Sequence, residues 1–170
     1  MWLLVTGVPG TGKTTHAKLL AEKFSFTLIN DLEFCKKHSL GVLNSAKELE
    51  VDLSLLQEKI NSLYKTSGSE NYLFEGHLWL EIMVPVKVVL LLHAVPLTLE
   101  ARLKERNYND EKILDNIHCE ETSYFQNKLL KNYSKSKLFE FDTSNNNIKE
   151  SSSQIISLLG DLKWVKLQSF

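Results

Sequence analysis

The stretch 5-VTGVPGTGKTTHAKLL-20 sets Gly7, Gly10 and Gly12 between an apolar run of strand length and a segment with helical spacing. Its pattern is Gly7, four residues, then Gly12-Lys13-Thr14, which is G-x-x-x-x-G-K-[ST]. Glycines let the backbone N–H groups of such a turn point inward around a polyanion. A helix starting near Lys13 adds the positive end of its dipole. The expected ligand is a nucleoside triphosphate, with Lys13 reaching the β and γ phosphates and Thr14 giving its hydroxyl to Mg2+.

Working outward from this turn, apolar runs of strand length recur at Trp2 to Thr6, Phe26 to Ile29, Tyr72 to Glu75, Val86 to Leu92 and Leu138 to Phe141. They are near-continuous rather than alternating, which suits strands buried on both faces of a parallel sheet. Helical spacing predicts helices over about 13–24, 46–65, 96–106, 110–133 and 148–160. Asn109, Asp110 and Glu111 supply a cap and first-turn acids for the fourth of these. The alternating order predicts an α/β, three-layer P-loop fold with a five-stranded parallel sheet, and 1–170 as a single domain. The segment Thr143 to Asn147 is a loop by composition. The tail 162-LKWVKLQSF-170 reads as either an edge strand or a partner contact.

Charge and composition narrow the class. Twenty Lys+Arg against 21 Asp+Glu leave no global basic field for binding bare nucleic acid. Cys35 and Cys119 lack the paired spacing of a disulfide framework or a zinc site, and read as reduced thiols. The apolar start has neither a basic flank nor a cleavage pattern. The run 82-IMVPVKVVLLL-92 is broken by Pro85 and Lys87 and is too short to span a bilayer. The expectation is a cytoplasmic protein with no membrane association.

The kind of P-loop chemistry follows from what accompanies the turn. A guanine-reading NKxD is absent; the nearest string, Asn127-Lys128-Leu129-Leu130, lacks the Asp. A AAA-type or motor ATPase is normally far larger, so a small nucleotide or metabolite kinase is the natural class. The chain has only two arginines, Arg102 and Arg106, one helical turn apart. Arginine is the residue for bidentate clamping of phosphoryl oxygens, so the pair is expected to close over the transferring phosphate, against the alternative of helix charges paired with Glu100 or Glu105. In 72-YLFEGHLW-79 an apolar run ends in Glu75, a carboxylate placed to hold a metal-bound water. His77 orients an attacking water or touches the acceptor, or is structural. Asp31 serves the metal or acceptor side, or is a helix N-cap.

GVPGTGKTT, then EGHLW, then RLKERNYNDEKILDNIHCE resembles the adenylate kinases of the ribosome-biogenesis type, archaeal and eukaryotic nuclear isoenzyme six, over roughly residues 3 to 160. The most specific part is R-x-Y-x-x-x-K-I-x-x-N-I at 106–117, and EGH is similar to the archaeal branch. The resemblance implies a nucleoside monophosphate kinase-like fold with a short lid at about 105–115 and a monophosphate-binding segment at about 30–53. It implies transfer from ATP to AMP or another nucleoside monophosphate, ATP hydrolysis, and action in small-subunit maturation with ribosomal protein uS11 and pre-rRNA. By matched position it implies ATP contacts at Gly10, Gly12, Lys13, Thr14, Thr15 and Arg106, with Glu75 and His77 as the carboxylate and histidine at the strand end.

The chain departs from that pattern in its acceptor segment. Where the eukaryotic members carry an arginine, 31-DLEFCKKHSL-40 has Lys36, Lys37 and His38. Only Asn107, Tyr108 and Asn109 separate Arg106 from the next helix, and Asn146 stands where a lysine by the adenine can occur in the family. Two functions compete: a monophosphate kinase, and an assembly ATPase whose nucleotide state controls docking on uS11 or pre-rRNA.

Overall fold

Trp2–Thr6 forms strand β1, and all five of its residues are buried. A run with no polar face is what the centre of a parallel sheet demands, because helices cover both sides. Trp2 and Leu4 enter one core with Phe34, Leu56, Ile60, Phe74 and Trp79. Leu3 and Val5 enter a second core with Ala17, Leu20, Ile155 and Leu159. Each fully buried leucine or valine contributes about 1.5–3 kcal/mol, so this strand alone anchors both layers.

The computed structural model describes residues 1–45, 49–145 and 147–161. After β1 come α1 (Lys13–Phe24), β2 (Thr27–Asn30), α2 (Asp31–Lys37), β3 (Gly41–Leu43), β4 (Leu49–Val51), α3 (Leu53–Thr66) and β5 (Tyr72–Glu75). Then follow β6 (Val88–His93), α4 (Pro96–Glu105), α5 (Asp110–Glu121), α6 (Tyr124–Asn132), β7 (Leu138–Asp142) and α7 (Ile148–Asp161). The main sheet has the order β2-β5-β1-β6-β7 and every pairing in it is parallel. Residues from α1 and α7 fill one face and residues from α2, α3 and α6 the other, giving the three-layer α/β P-loop fold expected.

Three differences from the sequence-based expectation have local causes. The helix expected over 46–65 begins only at Leu53, because Asp52 caps it, accepting from the N–H groups of Ser54 and Leu55 at 2.9 and 3.0 Å. Ahead of it, β3 and β4 form an antiparallel hairpin, with residues 46–48 outside the described range. The single helix expected over 110–133 is two. It breaks at Ser123, whose φ of 52° is left-handed, beside Thr122, whose hydroxyl donates back to the His118 carbonyl at 2.7 Å. A short helix, α2, follows β2 directly, and its cap is Asn30, which accepts from the Glu33 N–H at 3.1 Å. Asp31 is therefore the first helical residue and not the N-cap. The tail 162–170 and Asn146 lie outside the described residues.

Candidate active site

The C-terminal ends of β1, β2 and β5 bring the polar residues together, as the edge of an open parallel sheet does. Gly12 caps α1 with φ 83°, a left-handed conformation that a side chain rarely tolerates, and the first turn of α1 contains no acid. An anion is therefore unopposed at this helix N-terminus. The Lys13 ammonium donates to the Val8 carbonyl at 3.0 Å, folded across its own loop. Burial pushes its pKa down to about 8, against the pull of the Glu75 and Asp31 carboxylates. Lys13, Glu75 and Asp31 thus share one electrostatic neighbourhood.

Glu75 is only 3% exposed, and each carboxylate oxygen has a donor. The Thr14 hydroxyl donates to Oε1 at 3.0 Å and the Asn30 amide donates to Oε2 at 2.7 Å. The registers Val5↔Glu75 and Asn30↔Glu75 set these groups side by side. Its backbone is held too, since the Trp79 indole N–H donates to the Glu75 carbonyl at 3.1 Å. Asn30 escaped the sequence reading; as the last residue before a helix it signals only a cap.

Asp31 is 2% exposed and accepts from the Leu78 N–H at 2.9 Å. Its carboxylate fills the space beside Gly76: a Cβ there would lie 2.0 Å from Asp31 atoms, on a backbone with φ 140°. His77 projects outward, half exposed at 51%, with Nδ1 3.7 Å from the Asp31 carboxylate. Asp31 and His77 therefore form one pair at the mouth of the site, next to Glu75.

On the other side of the loop an open cleft of about 580 Å3 is lined by Gly10, Gly12, Thr15, Arg102, Arg106, Asn145 and Ile148 among others. The one-turn spacing of the arginines does bring both to this cleft. Arg102, however, spends its guanidinium on backbone: Nη1 donates to the Gly10 carbonyl at 3.0 Å and Nη2 to the Thr143 carbonyl at 2.6 Å. Arg106 follows the end of α4 and begins the turn to α5, where Asn107 is left-handed at φ 57° and Asn109 caps α5, accepting from the Lys112 N–H at 2.8 Å. Glu100, one alternative partner, is taken by Lys104.

Two further braces hold the loop and were not singled out from the sequence. Buried His16 contacts the Gly12 carbonyl through Nδ1 at 3.0 Å and the Ser151 hydroxyl through Nε2 at 2.8 Å, tying the loop to α7. The buried Thr143 hydroxyl lies 2.8 Å from the carbonyls of Thr11 and His93. The four-residue step from Gly12 to His16 was the available signal for the first; nothing local marks Thr143.

In the segment 30–53, Lys36 and Lys37 close the last turn of α2, and His38 packs on Phe34 with ring centroids 4.5 Å apart. Burial and then Lys59 and Lys37 hold the His38 pKa below its ordinary value. Lys59, from α3, thus joins a cationic cluster that the sequence split across two elements.

These features define a P-loop fold of the small-kinase kind. A family model described as AAA domain matches residues 3–123. Over 98% of its length the chain is 30% identical to the "Putative adenylate kinase" of Pyrococcus furiosus, of which it covers 93%. The chain belongs to this adenylate kinase family, and its AAA-domain core is short, so the size argument against a AAA-type ATPase does not bear on membership. Among solved structures, the Mycoplasma mycoides deoxyadenosine kinase superimposes with a TM-score of 0.64 at 15% identity, covering 95% of this chain and all of that one. The shikimate kinase of Bacteroides thetaiotaomicron gives 0.56 at 18% identity, covering 94% and 98%. At such identities these two speak for the fold alone. No helix among the described residues is long and apolar enough to cross a membrane.

Proposed function

We propose that the chain is a nucleoside monophosphate kinase that moves the γ-phosphoryl group of ATP to AMP, yielding two ADP. The observation that carries this reading is the meeting of Lys13, Thr14 and Glu75 at one strand edge, beside a cleft that holds both arginines. An oxygen of the acceptor phosphate forms the new bond to the γ phosphorus as the bond to the β,γ-bridging oxygen breaks. The acceptor is already an anion, so no general base is needed and catalysis is positioning plus charge stabilisation. Gly10, Gly12, Thr14 and Thr15 cradle the donor phosphates, Lys13 follows the transferred group, and Arg106 neutralises charge from the lid side. Arg102 sets the loop that does the cradling and adds its charge to the same cleft.

The oxygen donors Thr14 and Glu75, with Asp31 nearby, suit a hard cation such as Mg2+. No group of three or more His, Cys, Asp or Glu among the described residues could hold a metal by itself, so phosphate oxygens would complete the shell. Thr14 would hold such an ion directly and Glu75 through a water, and the ion would supply charge neutralisation at the triphosphate.

The acceptor phosphate meets Lys36, Lys37 and Lys59 rather than an arginine fork. Point charges tolerate varied geometry, which favours a broad acceptor range. The test is ADP formation from ATP, Mg2+ and a panel of monophosphates. No ADP above a Lys13→Ala control sinks the reading, whereas Lys59→Ala should raise KM for the monophosphate about 3–10-fold and leave KM for ATP alone.

The exposed His77 beside Asp31 favours a second reading, water activation and ATP hydrolysis without acceptor. On it, nucleotide state controls docking on ribosomal protein uS11 or small-subunit pre-rRNA in the cytoplasm. Equal binding of uS11 by the ATP-bound, ADP-bound and empty protein would eliminate that switch.

A further inference from the structure

His93 ends β6 and is clasped on both ring nitrogens by acids from two different elements. Nδ1 lies 2.7 Å from Glu120 Oε1 on α5, and Nε2 lies 2.9 Å from Glu140 Oε2 on β7. Neutral imidazole has one N–H and can satisfy one of these carboxylates; only imidazolium donates to both. The Glu120 side chain is 11% exposed, so the single N–H of a neutral ring would stay on it, while Glu140 at 39% has water to fall back on; the bond to α5 then loses its charge assistance and the bond to β7 is lost.

The clasp sits at a junction. Glu140 also accepts from the Gln126 amide of α6 at 2.7 Å. The His93 carbonyl accepts from the Thr143 N–H at 2.8 Å, and the Thr143 hydroxyl in turn reaches Thr11 in the phosphate-binding loop. Other charges bear on the cluster: Asp142, paired in register with His93; Arg102, which acts on Asp142; and Lys13, which feels Glu120. Helix α5 itself continues the lid block that Arg106 opens.

We propose that His93 is a positioning residue: its imidazolium seats α5, and with it the lid, against β6 and β7, and losing that proton loosens the seat. The Glu120 hydrogen bond is the main reason the His93 pKa stands above the ordinary 6.5, with burial opposing and Glu140 assisting. A base whose folded-state pKa is raised stabilises the fold fully below its unfolded value. That contribution disappears as pH rises through the folded value, so the seat is held fully below pH 6.5 and released as the pH climbs past the raised His93 value.

The test compares the full chain with His93→Arg and His93→Gln by hydrogen exchange across residues 110–121, corrected for intrinsic rates, from roughly pH 6 to 9. Protection of α5 should fall about fivefold with rising pH in the unaltered chain, the loss of one partly exposed charge-assisted hydrogen bond. It should stay flat and high in His93→Arg, and flat and low in His93→Gln. A His93→Arg protein that follows the unaltered decline, or a His93→Gln protein that matches the unaltered chain in acid, overturns the proposal.

Titration of the His93 ring by NMR needs no variant at this position: Glu120→Gln should lower its midpoint, and an unchanged midpoint also overturns the proposal. The consequence for turnover rests on the kinase reading, so ADP formation is followed in parallel. A pH-dependent α5 with no ADP at any pH upholds the seat and removes the kinase; ADP formation with a pH-independent α5 does the reverse.

Discussion

The Thr14 hydroxyl donates to Glu75 Oε1 across 3.0 Å, joining the first turn of α1 to the end of β5. Glu75→Gln keeps the shape and one acceptor oxygen but removes the charge. ADP formation should fall about 100-fold or more, in the range seen when a key electrostatic group is removed. The melting temperature should move little, since Thr14 and Asn30 retain an amide partner. A coupled assay beside a thermal melt separates these effects; a large fall in melting temperature would mean that the carboxylate is chiefly a structural group.

Lys13 is held at about 8 by burial, against an ordinary 10.5. Between these values the folded chain binds fewer protons than the unfolded one, so the stability of the nucleotide-free protein should rise as pH increases through about 8. Triphosphate favours the charged form and should raise the pKa, so ATP binding near pH 8.5, roughly, takes up protons. Calorimetry in two buffers of different ionisation enthalpy measures that uptake. Lys13→Met should abolish transfer while leaving the empty protein as stable or more stable.

Gly76→Ala places a Cβ 2.0 Å from the Asp31 carboxylate on a left-handed backbone. The expected cost is about 2–4 kcal/mol in denaturant unfolding. Removing the obstructing side chain with Asp31→Ala should recover part of that loss in the double variant, which additive costs would contradict.

The arginines should separate. Arg102→Ala deletes donors to two backbone carbonyls and should lower stability by about 1–3 kcal/mol along with ATP affinity. Arg106→Ala touches no such brace and should lower kcat with little change in melting temperature. Equal thermal losses for both would remove the distinction between a loop brace and a lid charge.

Much of this arrangement was legible before the structure. β1, β5 and α1 were bounded to the residue, because continuous apolar runs and a glycine motif are local signals. Strand β4 falls inside the helix expected over about 46–65 and β3 was not anticipated, since their pairing is between strands of three residues and its stabilising contacts lie across the turn. The Thr122–Ser123 break was hidden because neither residue forbids a helix. In the site, Lys13, Thr14, Glu75, Arg102 and Arg106 announced themselves by motif or scarcity. Asn30, His16, Thr143 and Lys59 did not: each acquires its place through residues far along the chain, and Thr143 reaches back 132 positions to Thr11.

That separation bears on the order in which the protein is made. The loop at residues 7–14 leaves the ribosome well before Arg102, Thr143 and Ser151, which brace it directly or through His16. A nascent chain that ends after α6 carries every residue of the glycine motif, the whole span of its AAA-domain match and Arg102, but neither Thr143 nor Ser151, so two of the loop's three distant struts join only when β7 and α7 have been made.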